Sequence, residues 1–147
     1  MFEIRSATPA DMAELIALDA IAPGNAARRD AIAEWIELGQ CHVALKEQRP
    51  AGYVALTRTF FRSPFVEMLQ VAAAARRRGI GRALMEHCIA ITPKDVKLWT
   101  STNQSNTPMQ VLLPRLGFDY CGMFEHLDPG DPELIYVRLP QNEPLAR

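Results

Sequence analysis

Residues 76 to 83 read Arg76-Arg77-Arg78-Gly79-Ile80-Gly81-Arg82-Ala83 and combine what an anion site needs. A helical pattern starts at Ile80, and a helix start leaves about four backbone N–H groups without intrahelical partners and carries partial positive charge. Gly79 and Gly81 let a ligand approach the backbone closely and permit positive φ. The flanking arginines add charge and forked donors, so the stretch predicts a phosphate or diphosphate site. A second candidate lies upstream, in Phe65-Val66-Glu67-Met68-Leu69-Gln70-Val71. Glu67 is the acid in an apolar run and shares strand parity with Phe65, Leu69 and Val71. An unpaired carboxylate is costly to bury, and burial raises its proton affinity toward that of a useful general base. Glu67 is therefore the candidate base, acting directly or through water. The plainer alternative is a glutamate at the solvated end of the strand, or one paired with a neighbouring arginine such as Arg58.

Two familiar phosphate motifs do not match. A P-loop needs Gly-Lys-Ser/Thr, whereas Gly81 is followed by Arg82-Ala83, and a dinucleotide fingerprint would put its third small residue at Leu84. The remaining residue types give little chemistry. Cys41, Cys88 and Cys121 are scattered and odd in number, and His42, His87 and His126 do not cluster, so no metal is expected. His87 flanks the core face of its helix and is expected to pack there. The net charge of −1 excludes a global attraction to nucleic acid or anionic membrane. No apolar run reaches the roughly 18–20 residues of a membrane span, and the N-terminus lacks a signal pattern, so a cytoplasmic location is expected.

The elements that must position these residues are punctuated clearly. Phe2–Arg5 predicts a first strand. A helix is capped by Thr8 with Pro9 at its first turn, carries Met12, Leu15, Ile16 and Ile21 as its apolar face, and ends at Pro23-Gly24. A second helix runs from about Ala26 to Leu38 and stops at Gly39. Cys41–Lys46 and Gly52–Thr59 form a hairpin around a turn at Glu47–Pro50, and Phe60–Pro64 breaks the pattern before a central strand, Phe65–Ala72. The helix from Ile80 places Leu84, Cys88 and Ile91 on one face and stops at Pro93. Val96–Ser101 is then a strand parallel to the central one. Thr107 caps a last helix with Val111, Leu112 and Leu116 as its apolar side, and Phe118–Glu125 and Leu134–Leu139 close the chain as strands. Residues 1–140 thus predict one domain, with a mobile tail over 141–147, in the order β-α-α-β-β-β-α-β-α-β-β.

Arg76-Arg77-Arg78-Gly79-Ile80-Gly81 fits the pattern Arg/Gln-x-x-Gly-x-Gly/Ala, and here the sequence resembles the GNAT superfamily of N-acetyltransferases. A second segment agrees. Many members read Asn-x-x-Ala-x-x-Leu-Tyr-x-x-x-Gly-Phe after the fifth strand, and the chain keeps Asn106, Leu112 and Gly117-Phe118 at that spacing. The resemblance implies an α+β three-layer sandwich whose mixed, mostly antiparallel sheet has splayed parallel strands 4 and 5. It implies acetyl-CoA as cosubstrate, with the diphosphate held by Arg76, Arg77, Arg78, Gly79, Ile80, Gly81, Arg82 and Ala83. The pantetheine arm would lie along Leu69, Gln70 and Val71 and meet Asn106. An amine acceptor, with a small molecule ahead of a protein N-terminus or lysine, would attack the thioester directly, with Glu67 as base. A covalent route through Cys88 or Cys121 is disfavoured, and a homodimer is compatible with the resemblance. The family's frequent general acid, a tyrosine, is replaced by Leu113, and Pro114 follows with an expected kink. Tyr120 and Cys121 are candidate substitutes whose plainer reading is sheet packing. The departure leaves a second expectation open, a non-catalytic or weakly active CoA-binding or sensor module.

Overall fold

In a computed structural model describing residues 2–141, seven strands form one sheet in the order β1-β2-β3-β4-β5-β7-β6. The strands are β1 (Glu3–Ser6), β2 (Cys41–Lys46), β3 (Arg49–Phe60), β4 (Ser63–Val71), β5 (Leu98–Asn103), β6 (Asp119–Phe124) and β7 (Glu133–Arg138). The helices are α1 (Met12–Leu18), α2 (Ala26–Glu37), α3 (Ile80–Ile91) and α4 (Thr107–Arg115), with short 3-10 turns at Pro9–Asp11, Ala22–Gly24 and Ala73–Ala75. The expected element order and mixed α+β class are thus present. β4 and β5 pair in parallel at Phe65↔Trp99 and Val66↔Thr100, and β4 runs on to Val71 beyond that ladder. The tail expected after Pro140 lies, from residue 142 on, outside the described residues.

The described residues form two compact units, one of residues up to 57 with 67–88, the other of 58–66 with 89 onward. In the first, α1 and α2 supply Leu15, Ile32, Trp35 and Ile36 to a core with Cys41, Val43 and Leu45 of β2 and Tyr53 and Ala55 of β3. The alternate residues of β2 and β3 face the other way. There α3 comes so close that a Cβ built on Gly52 would stand 3.0 Å from Ile80 Cγ2 and 2.9 Å from the Gln70 carbonyl oxygen. Gly52 is thus the glycine that lets α3 lie down on the sheet, as an isolated glycine in a strand often does. In the second unit, Leu113 and Leu116 of α4 are buried with Phe118, and β6 lies at the sheet edge.

Several boundaries differ from the sequence expectation for local reasons. The first helix stops at Leu18 rather than at Pro23, because the Asp19 carboxylate accepts the N–H groups of Ile21 (2.8 Å) and Ala22 (2.9 Å) and turns the chain out of the helix. Ile21 consequently stands 47% exposed instead of joining the apolar face. At the start of that segment Thr8 is the cap, as expected, of the 3-10 turn Pro9–Asp11, and Asp11 Oδ2 accepts its N–H at 2.8 Å. Both hairpin turns are two-residue turns, Glu47-Gln48 and Phe61-Arg62, with φ of 51°, 64°, 52° and 63°. These are left-handed turns made without glycine, which is why the sequence suggested longer breaks. Pro50, Ser63 and Pro64 therefore belong to strands. The cap of α4 is Asn106, not Thr107, its Oδ1 accepting Met109 N–H at 3.3 Å. Val111, expected on the apolar side, is 47% exposed, and Leu113, not expected there, is buried instead together with Leu116. Pro114 is the penultimate residue of α4 and gives no N–H to the helical ladder, a loss confined to the last turn.

Candidate active site

Val66 is the last β4 residue paired with β5, and Glu67 to Val71 of the same strand belong to the first unit. Glu67 is half-buried, and its Oε1 accepts the hydroxyl of Thr57 on β3 at 3.0 Å. Thr57 is itself 1% exposed, so this hydroxyl is fixed in the core. Leu69 and Val71 lie together under the start of α3. A Cβ placed on Gly81 would stand 3.8 Å from Leu69 Cδ2 and 3.8 Å from Val71 Cγ2. That is ordinary contact distance, so Gly81 is not forced by packing against the sheet.

After β4 the 3-10 turn Ala73–Ala75 delivers the chain to the three arginines, all exposed. Arg77 has φ 64° and Gly79 φ 83°, so two left-handed residues fold the loop before α3 begins at Ile80. For Gly79 that conformation is unstrained, while for Arg77 it costs of order 1 kcal/mol or more. Strain of this kind at a loop beside a helix start marks a candidate ligand site. The helical ladder opens with Ala83 N–H donating to Gly79 O at 2.9 Å. Ala83 thus spends its amide on the helix, and the amides before it, at Gly79 to Arg82, are the ones presented at the positive end. The first turn holds no acidic side chain, and the space within 4 Å of a Cβ on Gly79 is open. Residues 67–83 are therefore brought together in one unit. Asn106 lies in the other, engaged as the cap of α4.

Side chains weighed as acids and nucleophiles fall into place as well. Leu113 is 0% exposed, a core residue with no hydroxyl to offer. Tyr120 is half exposed and meets the ring of Tyr136 edge-on at 5.7 Å, and Cys121 sits at a bulge in β6 with Sγ donating to Ile135 O. Burial pushes the Cys88 thiol up to about 12, which removes it as a nucleophile near neutrality. No group of three or more metal-ligating side chains occurs among the described residues.

Two further clusters form only in the folded chain. Asp19 accepts Tyr53 OH at 2.6 Å and Arg28 Nη1 at 2.9 Å besides the two amides already described. Burial alone would raise its pKa, but these four donors outweigh it and hold the carboxyl below its ordinary range. His42 Nδ1 and His87 Nε2 stand 3.2 Å apart, joining β2 to α3. Burial lowers the pKa of both, and in His42 the neighbouring imidazole lowers it further. Tyr53 lies 34 residues from Asp19 and His87 lies 45 from His42, so only the folded chain brings these pairs together.

Comparison with known proteins agrees with this geometry. The family model for the acetyltransferase (GNAT) family matches residues 10–118. A peptidyl-lysine N-acetyltransferase, YjaB, of Salmonella typhimurium is 31% identical over 99 residues, covering 64% of this chain and 63% of that protein. The match thus spans less than two thirds of that relative's length. The crystal structure of a GNAT-family acetyltransferase from Bacillus cereus superposes with a TM-score of 0.84 at 31% identity, over 93% of this chain and 96% of that one. The ribosomal-protein-S18-alanine N-acetyltransferase of Escherichia coli shares the fold, with a TM-score of 0.76 at 20% identity over 99% and 100% of the two chains. The chain belongs to the acetyltransferase (GNAT) family.

Proposed function

We propose that the protein is an acetyl-CoA-dependent N-acetyltransferase that moves the acetyl group to a primary amine by direct attack in a ternary complex, the acceptor being a small molecule. The observation that carries this reading is the start of α3: two left-handed residues, Arg77 and Gly79, lead into it, and Leu69 and Val71 lie beneath it. The residues present fit coenzyme A. The amides of Gly79 to Arg82 would hold its diphosphate at the positive helix end, with Arg76, Arg77, Arg78 and Arg82 adding charge around it. The parallel pairs of β4 with β5 lie at Phe65 and Val66, and an extended pantetheine arm would run alongside the later β4 residues Leu69 to Val71 as a further strand does. A backbone donor of Leu69 or Val71 aimed at the thioester oxygen would stabilise the developing charge by about 2.7–4 kcal/mol.

Glu67, oriented by Thr57, takes a proton from the acceptor ammonium, directly or through water. The neutral nitrogen attacks the carbonyl carbon, a C–N bond forms and the C–S bond breaks, and the second amine proton passes to base or solvent. Sulfur leaves as thiolate, and with a thiol pKa of about 8.5 it needs only water to reprotonate it. The buried Leu113 is therefore compatible with turnover.

The balanced charge of the chain supports a small acceptor. The peptidyl-lysine activity named for the Salmonella relative supports a second reading, a lysine side chain of a protein. Thiol release from acetyl-CoA, followed against a panel of small amines, a lysyl peptide and an N-terminal peptide, separates them. Release with a small amine is expected, and preference for the lysyl peptide would install the second reading. Saturable coenzyme A binding without release for any acceptor would make the chain a binding module. Calorimetry showing no heat on adding coenzyme A would overturn the assignment altogether.

A further inference from the structure

The histidines do not cluster in the sequence, yet the fold sets His42 Nδ1 3.2 Å from His87 Nε2. Both come from regular elements of the first unit. His42 lies inside β2, paired with Ser6 of β1 and Val54 of β3, and His87 lies two turns into α3. Their ring centres are 4.8 Å apart and the planes are inclined by 57°. A hydrogen bond running straight through both rings would hold the centres about 5.5 Å apart, so these rings are bent toward each other. Two imidazole nitrogens bound at about 2.0–2.1 Å to one tetrahedral zinc stand roughly 3.3 Å apart, with their ring centres separated by about 5 Å. The pair already has that bite. Both rings are half-buried, and burial favours their neutral forms, which are the ligating ones. Ser6 shares the face of its partner His42 and is exposed, so the pair is open to water on the β1 side.

We infer that His42 and His87 form a binding site for a divalent first-row transition ion, zinc in the first instance, that clips α3 to β2. Imidazole nitrogen suits zinc, nickel and copper, whereas magnesium and calcium call for oxygen ligands. No third His, Cys, Asp or Glu joins the pair among the described residues, so water completes the coordination. The site is therefore open and exchangeable, unlike the closed four-ligand sites that build zinc into a fold. On binding, the proton shared between the facing nitrogens moves to the second nitrogen of its own ring, and both lone pairs turn to the metal. The two ligands are 45 residues apart in the chain and meet only when it folds, so the ion stabilises the folded state by mass action.

Calorimetric titration of the whole protein, stripped of metal with a chelator, with zinc chloride tests this. A single equivalent is expected to bind, with a rise in melting temperature that grows with zinc concentration. His42→Gln and His87→Gln are each expected to weaken zinc by about a hundredfold and to remove that rise. His126→Gln and Cys121→Ser, which alter exposed groups elsewhere, are expected to leave both unchanged. Electron paramagnetic resonance of the copper(II)-loaded parent gives a reading that needs no variant to fold, and coupling to two imidazole nitrogens is expected. Zinc binding that survives in either histidine variant, a copper spectrum with fewer than two nitrogens, or no stoichiometric uptake of zinc would overturn the site and leave the pair a hydrogen bond only. None of these outcomes bears on the acetyltransferase reading, which coenzyme A binding and thiol release decide.

Discussion

Glu67 and Thr57 show what a residue type reveals and what it hides. An acid inside an apolar run is visible in any sequence, because the run around it is the signal. The hydroxyl that holds it comes from β3, and nothing at Thr57 distinguishes it from other strand threonines. Glu67→Gln is expected to lower kcat by about 10²–10⁴-fold, the usual worth of a positioned base, with the Kd for coenzyme A unchanged by calorimetry. A variant that keeps the parent kcat would remove Glu67 from the role. Leu113 carries the opposite lesson. Its position in the motif raised the question of an acid, and burial answers it with a core side chain. Leu113→Tyr is therefore expected not to raise kcat but to destabilise by about 1–3 kcal/mol through overpacking, read from denaturant midpoints.

At the scale of elements the chain was legible wherever a helix or strand is bounded by its own residues. β2 and α2 fall where the pattern puts them, since Gly39 and the apolar periodicity are local signals. The misplacements come from side chains acting on neighbouring backbone. Asp19 cuts α1 short, and Glu47-Gln48 and Phe61-Arg62 turn without glycine, so β3 is longer at both ends than expected. β5 is shifted two residues toward the C-terminus because its ladder with β7, from Leu98↔Arg138 to Asn103↔Glu133, fixes it rather than its composition. Gly52 is the residue that sets how closely the start of α3 lies on the sheet. A Cβ there meets a backbone oxygen at 2.9 Å, which cannot swing aside as a side-chain tip can, and Ile80 at the first turn of α3. Gly52→Ala is expected to cost about 1–3 kcal/mol and to weaken coenzyme A binding by displacing the helix start. Gly81→Ala, with only 3.8 Å contacts below it, should leave stability nearly unchanged, so the pair separates packing from ligand approach by melting temperature and Kd.

For the molecule as a whole, the sequence supplied class, order and family segments, but not its response to acid, which is set by pairings across the sheet. Four groups of the first unit have pKa values below their ordinary ones. Asp11 is lowered chiefly by its hydrogen bonds from Arg5, Asp19 by the donors that overcome its burial, and His42 and His87 by burial. In each case the unfolded chain binds the proton more readily than the folded one. Stability from these groups is therefore complete above the unfolded pKa and is lost as pH falls through the folded one. The histidines act first, beginning as pH drops below about 6.5, and the carboxylates follow below about 4. The early loss belongs to the contact between β2 and α3, because a charged imidazole at 3.2 Å from another cannot keep the neutral pair's hydrogen bond once both are protonated. His87→Gln, which retains a polar side chain on the same face of α3, is expected to melt with a shallower dependence on pH between 7 and 5 than the parent, and with the same further fall below pH 4. Calorimetric melting temperatures at four or five pH values decide it: parallel curves for parent and variant above pH 5 would mean that the histidine pair contributes nothing to the acid response, and that the carboxylates alone carry it.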